Sequence, residues 1–233
     1  MIQHKAIKGI LFDSGDTLVQ PIGGKWWPGA QFHEILNNHD IRGLSWSRME
    51  GAIEEGIRYL DDHHHLMTVD EERDQFRTFY RIVLEHLGLR NPDTGLLSAL
   101  THARVDEVDF EVYNDTLAVL EKLYESGFTL GIISDAWPSL ERKYRLLDLR
   151  KYFKAFVISA QVGCCKPDKR IFGRAIAEMG LPPEKLLFVD DDPHYVKEAI
   201  GLGLNGILMI RSGEPADADV EWVRDLEEMA AFL

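Results

Sequence analysis

The sequence predicts an α/β protein with a parallel β-sheet core, helices on the faces of the sheet, and one all-helical insert. Two observations carry this prediction. Short runs rich in Ile, Val and Phe alternate with segments of helical period along most of the chain, which is typical of strands joined by crossover helices. The stretch from about Trp26 to about Arg104 breaks this rhythm, because it holds long charged segments and no convincing strand.

Five apolar runs are expected to form the sheet. Each is bounded by polar residues and is rich in aliphatic or aromatic side chains, as strands buried on both faces usually are. In chain order the predicted strands are Ile7–Phe12, Phe128–Ile133, Ala155–Ile158, Leu186–Val189 and Gly206–Ile210.

Three helices are expected between predicted strands, in segments that are followed by a glycine, since apolar residues recur there at intervals of three and four. Two of these helices end at Gly127 and Gly180, a residue type that favours the C-terminal cap. The chain is expected to end in a helix around Val220–Phe232. The predicted buried faces are Leu117, Leu120, Leu123 and Tyr124; Phe172, Ala175, Ile176 and Met179; and Val196, Ala199 and Ile200 before Gly201.

The insert has helical spacing of its own, most clearly in Glu71–Leu87. Leu18–Gly24, with a proline and two glycines, is expected to be the linker into it, and the acidic stretch Val105–Tyr113 the linker out. We therefore predict a core domain of residues 1–20 and 106–233 and a helical domain of residues 21–105.

Composition and charge limit the function classes. The 233 residues are 45% hydrophobic and 28% charged, which is ordinary for a globular protein. A net charge of −13 disfavours nucleic acid and anionic membranes as partners. No apolar run could span a bilayer, Met1–Lys5 lacks the apolar stretch of a signal peptide, and the adjacent Cys164 and Cys165 exclude a disulfide scaffold. We expect a cytoplasmic monomer or homodimer.

Polar side chains follow the predicted strands where the strands end. Asp13 follows the first strand, Ser134 and Asp135 the second, and Asp190–Asp192 the fourth, while Lys166 lies in the loop after Ala155–Ile158. In an open parallel sheet these ends meet at one edge, where ligands bind. Converging carboxylates repel one another, and a hard divalent cation such as Mg2+ is the usual remedy.

Such an arrangement is suited to phosphoryl chemistry. A carboxylate beside a metal-bound phosphate can attack phosphorus and form an aspartyl-phosphate. Ser134 and nearby backbone N–H groups can bind phosphate oxygens, and Lys166 can neutralise nucleophile and substrate. The sequence thus predicts a Mg2+-dependent enzyme acting on a small phosphorylated molecule.

Four motifs in order resemble those of the haloacid dehalogenase superfamily of hydrolases. The family's Asp-x-Asp-Gly-Thr is similar to Phe12–Leu18 (FDSGDTL), and its second motif is similar to Gly131–Asp135. A lysine followed by Pro-Asp occurs in Lys166–Phe172, and the acidic pair after a strand is Asp190 and Asp191. The insert after the first motif resembles the helical C1 cap of subfamily I, and the resemblance, which covers nearly the whole chain, implies a Rossmann-like core.

The resemblance also implies roles for single residues. Asp13 is the expected nucleophile, Asp191 a second direct metal ligand, and Asp190 a further or water-mediated one. The remaining expected metal ligand is the backbone carbonyl of Gly15. The expected phosphate-binding residues are Ser134, Asp135 and Lys166, with Thr17 bracing the first loop.

The first motif departs from the family at one position. Family phosphatases carry a second aspartate two residues after the nucleophile, which acts as general acid and base; here that residue is Gly15, and Asp16 is displaced by one. Such catalysis is worth about 10²–10⁴ in rate. Asp16 is kept as a candidate catalytic residue, although adjacent residues on an extended segment point apart.

Three functions therefore stay open: a phosphohydrolase; a haloacid dehalogenase, which uses the same nucleophile without a metal; and a catalytically weak binding or regulatory protein. Two features of the insert are also interpreted. His63–His65 is taken as a solvated helix end, and Trp26 and Trp27 either line the entrance between the domains or pack within the cap.

Overall fold

A computed structural model describes residues 7–213 and 219–233. Met1–Lys5, where no signal peptide is expected, lies outside the described residues. The strands are β1 (Gly9–Phe12), β2 (Val19–Pro21), β3 (Phe110–Val112), β4 (Thr129–Ser134), β5 (Phe153–Ile158), β6 (Leu186–Asp190), β7 (Asn205–Met209) and β8 (Trp222–Val223).

Six of these strands form one sheet in the order β5-β4-β1-β6-β7-β8, and each neighbouring pair is parallel. This confirms the predicted α/β fold, with all five predicted strands present. β1 and β6 are buried along their whole length, which explains their continuous apolar sequences. Because β1 lies between β4 and β6, the residues that follow these three strands meet at the centre of one edge.

The two predicted linkers each contain a short strand that the sequence analysis does not predict. β2 and β3, which lie within Leu18–Gly24 and Val105–Tyr113, pair in antiparallel register, with Val19 opposite Val112. Both are short and contain buried apolar residues, so packing against the core overrides their loop-like composition. They form a ribbon where the chain leaves and re-enters the core.

The insert contains four α-helices between β2 and β3, and the described residues of this stretch contain no strand. The third of them begins at Val69, directly after Thr68, whose side chain accepts a hydrogen bond from the backbone N–H of Glu71 in a capping box. The helices enclose a separate hydrophobic cluster, and the domain limits of 21 and 105 stay a prediction. The four helices are α1 (Phe32–Asn38), α2 (Met49–Asp62), α3 (Val69–His86) and α4 (Thr94–Val105).

Further helices cover the sheet. The helix over Lys169–Met179 ends directly before Gly180, whose φ of +68° is the left-handed conformation expected of a C-terminal cap. These helices are α5 (Thr116–Glu125), α6 (Ser139–Leu146), α7 (Ser159–Val162), α8 (Lys169–Met179), α9 (Pro193–Gly201) and α10 (Leu226–Ala231). No helix in the described part of the chain is both long and apolar enough to cross a bilayer.

Three predicted helix features are wrong in detail. The C-terminal segment begins with β8, and its helix starts only after Asp225, whose side chain accepts a hydrogen bond from Glu228 N–H. In α5 the buried face is formed by Val119, Leu120 and Leu123 together with Thr116, so Leu117 and Tyr124 are about half exposed. Ile200 in α9 is likewise exposed.

Candidate active site

The ends of the three central strands meet beside one cavity of about 460 Å³. Asp13 directly follows β1, and its backbone N–H donates a 2.9 Å hydrogen bond to the carbonyl of Val189 in β6. Ser134 ends β4, and Asp190 ends β6. The parallel sheet therefore brings side chains from three distant motifs to one wall.

Lys166 links two of these carboxylates. Its buried Nζ lies 2.6 Å from Oδ1 of Asp13 and 2.5 Å from Oδ2 of Asp190. Burial alone would lower the pKa of Lys166, but the charges of Asp13 and Asp190 raise this pKa above its ordinary value. The ammonium group is therefore held charged between the two carboxylates.

One lysine does not neutralise this cluster. Burial raises the pKa of Asp190 to about 7, with the charge of Asp13 adding to the effect and Lys166 opposing it. Asp191 faces the cavity, where water reaches its carboxylate although the surrounding walls desolvate it. Desolvation and the charges of Asp13, Asp190 and Asp16 raise the pKa of Asp191 to about 8. The site thus carries an excess of negative charge.

The donors fit a hard divalent cation. Within residues 7–213 and 219–233, no three carboxylate, imidazole or thiolate groups already form a metal-binding cluster. The carboxylates of Asp13, Asp190 and Asp191 nevertheless line one cavity, and a cation bound among them would offset their mutual repulsion. Asp13, Asp190, Asp191 and the carbonyl of Gly15 are the oxygen donors available there.

The predicted phosphate-binding residues divide into two groups. Ser134 lines the cavity, and its hydroxyl makes no hydrogen bond with any described residue. Oδ1 of Asp135 accepts a 2.9 Å hydrogen bond from the backbone N–H of Lys166, so Asp135 fixes the loop that carries the lysine. Burial raises the pKa of Asp135 to about 6. Thr17 is buried away from the cavity lining, and its Oγ1 finds no partner among the described residues.

The first loop places Asp16 beside the cavity. Asp16 has a φ of +52°, so the chain turns sharply there and the expectation based on an extended segment does not hold. Oδ2 of Asp16 accepts a 2.8 Å hydrogen bond from Nε1 of Trp26. A Cβ on Gly15 would meet Cζ2 of the same indole at 3.2 Å. Trp26 therefore lies where a side chain at position 15 would point.

A second polar group, which the sequence analysis did not identify, lines the cavity away from the strand ends. We call Glu72, Arg104, Asp109 and Lys143 the distal cluster. Asp109 bridges Arg104 Nη1 at 2.6 Å and Lys143 Nζ at 2.7 Å. Both oxygens of Glu72 accept hydrogen bonds from Ser139, one from its N–H and one from its hydroxyl. These residues come from separate elements and share no motif, so no sequence signal marks them.

The insert and core meet around this cavity. Trp27 and Trp137 both line it, and their rings lie 6.0 Å apart. Trp27 also packs on Phe79 of the insert, so it both lines the cavity between the domains and packs within the cap. The reading of His63–His65 as a solvated end is wrong in part, because Nε2 of His64 lies 2.7 Å from Oγ of Ser159 in the core.

Comparison with known proteins identifies the class. The sequence profile of the haloacid dehalogenase-like hydrolases matches residues 7–203, and the chain belongs to this family. The chain is 26% identical over 222 residues to a glyceraldehyde 3-phosphate phosphatase of Methanopyrus kandleri, covering 92% of this chain and 88% of the relative.

Two further matches show the breadth of the family. An (S)-2-haloacid dehalogenase of Pseudomonas putida is 28% identical over 164 residues, which are 66% of this chain and 68% of that protein. The crystal structure of a HAD phosphatase from Thermococcus onnurineus superposes with a TM-score of 0.67 at 23% identity, covering 97% of both chains. The fold and hydrolase class are thus shared with phosphatases and with a dehalogenase.

Proposed function

We propose that this protein is a Mg2+-dependent phosphohydrolase that acts on a small phosphorylated metabolite through an aspartyl-phosphate at Asp13. The observation that carries the proposal is the surplus of carboxylates beside Lys166, which binds Asp13 and Asp190 while Asp191 lines the same cavity. Similarity to a glyceraldehyde 3-phosphate phosphatase supports the same reaction class. Following the sequence analysis, we place the enzyme in the cytoplasm as a monomer or homodimer.

The first step uses Asp13 as nucleophile. Its Oδ1 is held by Lys166, which leaves Oδ2 to attack phosphorus while the bond from phosphorus to the ester oxygen breaks. Ser134 binds a phosphate oxygen, and the Lys166 ammonium offsets the charge that gathers on the transferring group. Bound Mg2+ would supply charge neutralisation for phosphate and carboxylates together.

The second step hydrolyses the aspartyl-phosphate and regenerates the carboxylate of Asp13. Water attacks phosphorus, and its proton must pass to a base as the bond to Asp13 breaks. Asp16 is our candidate for this base and for the acid of the first step. Its turn brings it to the cavity, and Trp26 holds Oδ2 while Oδ1 has no hydrogen-bond partner among the described residues.

The dehalogenase alternative has support from the similarity to a haloacid dehalogenase. That reaction needs no metal. Without a bound cation, the carboxylates of Asp190 and Asp191 would repel that of Asp13, and the dehalogenase reaction gives them no role. The weak binding protein is the second alternative, and it depends on whether Asp16 replaces the acid that is missing at Gly15.

One set of assays separates the three functions. Release of nitrophenol from para-nitrophenyl phosphate is measured with Mg2+ and with EDTA, and halide release is measured from 2-chloropropionate. We expect Mg2+-dependent phosphatase activity that is lost in Asp13→Asn and kept in Asp74→Asn, a matched change on the exposed side of α3. Halide release without phosphatase activity would establish the dehalogenase, and phosphate binding without turnover the binding protein.

A further inference from the structure

The cavity is lined by more than the reacting carboxylates, and the rest of its wall would face the alcohol portion of a phosphate ester. Apolar side chains make up much of this wall, among them Ile57, Leu60, Trp27, Trp137 and Leu140. A wall of this kind favours an apolar or aromatic group by removing it from water.

The cavity offers little positive charge to a second anionic group. The carboxylates near the reaction centre are Asp13, Asp16, Asp135, Asp190 and Asp191. Lys166 is the only cation of the described lining at that end, and it is already bound to Asp13 and Asp190. The charge of a metal cation bound there would be neutralised by these carboxylates and by the phosphate group of the substrate.

The two cations at the other end are also engaged. Arg104 and Lys143 share the carboxylate of Asp109, and Lys143 Nζ donates a further 2.7 Å hydrogen bond to the carbonyl of Arg104. Burial alone would raise the pKa of Asp109, but these two cations lower it below its ordinary value, so Asp109 is held ionised.

Glu72 supplies the second carboxylate of the distal cluster. Burial raises the pKa of Glu72, while two hydrogen bonds from Ser139 and the charges of Lys143 and Arg104 favour its ionised form. Two cations thus face two carboxylates, and Asp61 adds a further acid to the same lining. Arg104 also makes a cation–π contact with Trp27, because its guanidinium carbon lies 4.6 Å from the centre of the indole ring.

We infer that the enzyme selects phosphate monoesters of uncharged, apolar or aromatic alcohols and rejects esters whose alcohol carries a carboxylate. The inference rests on the proposed phosphohydrolase function and names its substrate class. A carboxylate on the alcohol would be buried without a free cation and among like charges, which is strongly unfavourable.

The test compares two aryl phosphates that differ in this one respect: para-propylphenyl phosphate and para-(2-carboxyethyl)phenyl phosphate. Two methylene groups separate the carboxylate from the ring, so the two phenols are similar leaving groups. We expect kcat/KM to be at least about tenfold higher for para-propylphenyl phosphate than for the carboxylate-bearing ester. Equal values, or a preference for the carboxylate ester, would overturn the inference.

Two variants connect the preference to the distal cluster. Glu72→Gln removes one carboxylate at nearly constant shape, so the preference should shrink several-fold. Asp74→Asn removes the same charge from an exposed position on the same helix and should leave the ratio unchanged. An unchanged ratio in Glu72→Gln would mean that the cluster does not set the selectivity.

A binding measurement separates this inference from the proposed function. Both esters are titrated into Asp13→Asn with Mg2+, and binding is followed through the fluorescence of the tryptophans that line the cavity. If the wild-type protein hydrolyses neither ester but the variant binds para-propylphenyl phosphate more tightly than the carboxylate-bearing ester, the proposed function fails and the charge selectivity stands. Equal binding of the two esters contradicts the selectivity itself.

Discussion

The indole Nε1 of Trp26 donates a 2.8 Å hydrogen bond to Oδ2 of Asp16, and Cζ2 of the same ring lies 3.2 Å from the position of a Cβ on Gly15. One side chain therefore does two things. It fills the direction in which the family's second aspartate would point, and it holds the displaced aspartate at the cavity. In the first motif, Gly15 and Asp16 stand in the reverse of the family's Asp-Gly order, and Trp26 lies against both positions.

Asp16→Asn should slow the hydrolysis of alkyl phosphates by about 10²–10⁴, because an alkoxide leaves poorly without a proton. Aryl phosphates should be affected less in the first step, since phenolates leave readily. The measurement is the dependence of kcat/KM on leaving-group pKa, which should be steeper in the variant than in the wild type. An identical dependence in both proteins would show that Asp16 is not the acid.

Trp26→Phe should produce a smaller change in the same direction. The ring remains and still occupies the space beside Gly15, but Asp16 loses its hydrogen-bond donor. We expect alkyl phosphate turnover to fall by about tenfold through loss of positioning. Trp46→Phe, a change at an exposed indole of the insert, is the matched control. Equal loss in both variants would indicate a general effect on the insert.

The strand ends could be predicted from the sequence because the runs before Asp13, Ser134 and Asp190 are apolar and parallel strands place these residues at one edge. The turn at Asp16 could not, because a positive φ at one residue leaves no periodic signal. β2 and β3 were missed for a related reason: strands of three residues, one containing Pro21, resemble loops.

The distal cluster marks the other limit of sequence reasoning. Arg104 and Lys143 are 39 residues apart, and only the packing of the insert on α6 brings both to the cavity. Each would be interpreted alone as a surface charge on an amphipathic helix. Their role depends on which charges surround them, which is a property of the tertiary structure.

Lys166→Met should abolish phosphatase activity and also destabilise the fold. The lysine is buried and pairs with two carboxylates, so its removal leaves uncompensated charge that typically costs about 3–5 kcal/mol. The free energy of unfolding is measured in urea at about pH 7 and about pH 5. The loss should be smaller at the lower pH, where Asp190 is protonated at less cost. A stable, active variant would contradict both roles of the lysine.

Mg2+ should raise the melting temperature more at about pH 8 than at about pH 6. The pKa of Asp191 is raised to about 8 from an ordinary value of 3.8, so between these values the folded state binds more protons than the unfolded state. Stability without Mg2+ therefore falls as pH rises through this window. A cation competes with those protons, so its stabilising effect grows with pH.

The control for this prediction is KCl at matched ionic strength, which should not reproduce the pH-dependent increase. Asp191→Asn removes a carboxylate of the cluster and should reduce both the Mg2+ effect and its pH dependence. A Mg2+ effect of equal size at both pH values would show that Asp191 does not bind the ion.

Gly15→Asp alone should raise alkyl phosphate turnover little, because its new side chain meets Trp26 at 3.2 Å and the indole has to shift. The double variant Gly15→Asp with Trp26→Leu should do better, since the smaller side chain gives the carboxylate room to reach the leaving group. We expect a gain of about 10–100-fold over Trp26→Leu alone, measured as kcat/KM on an alkyl phosphate, from the lower part of the usual general-acid range. The backbone of Gly15 is not in the left-handed region, so left-handed strain does not oppose a side chain there. If the double variant is no faster than Trp26→Leu, an aspartate at residue 15 does not act as the acid in this site.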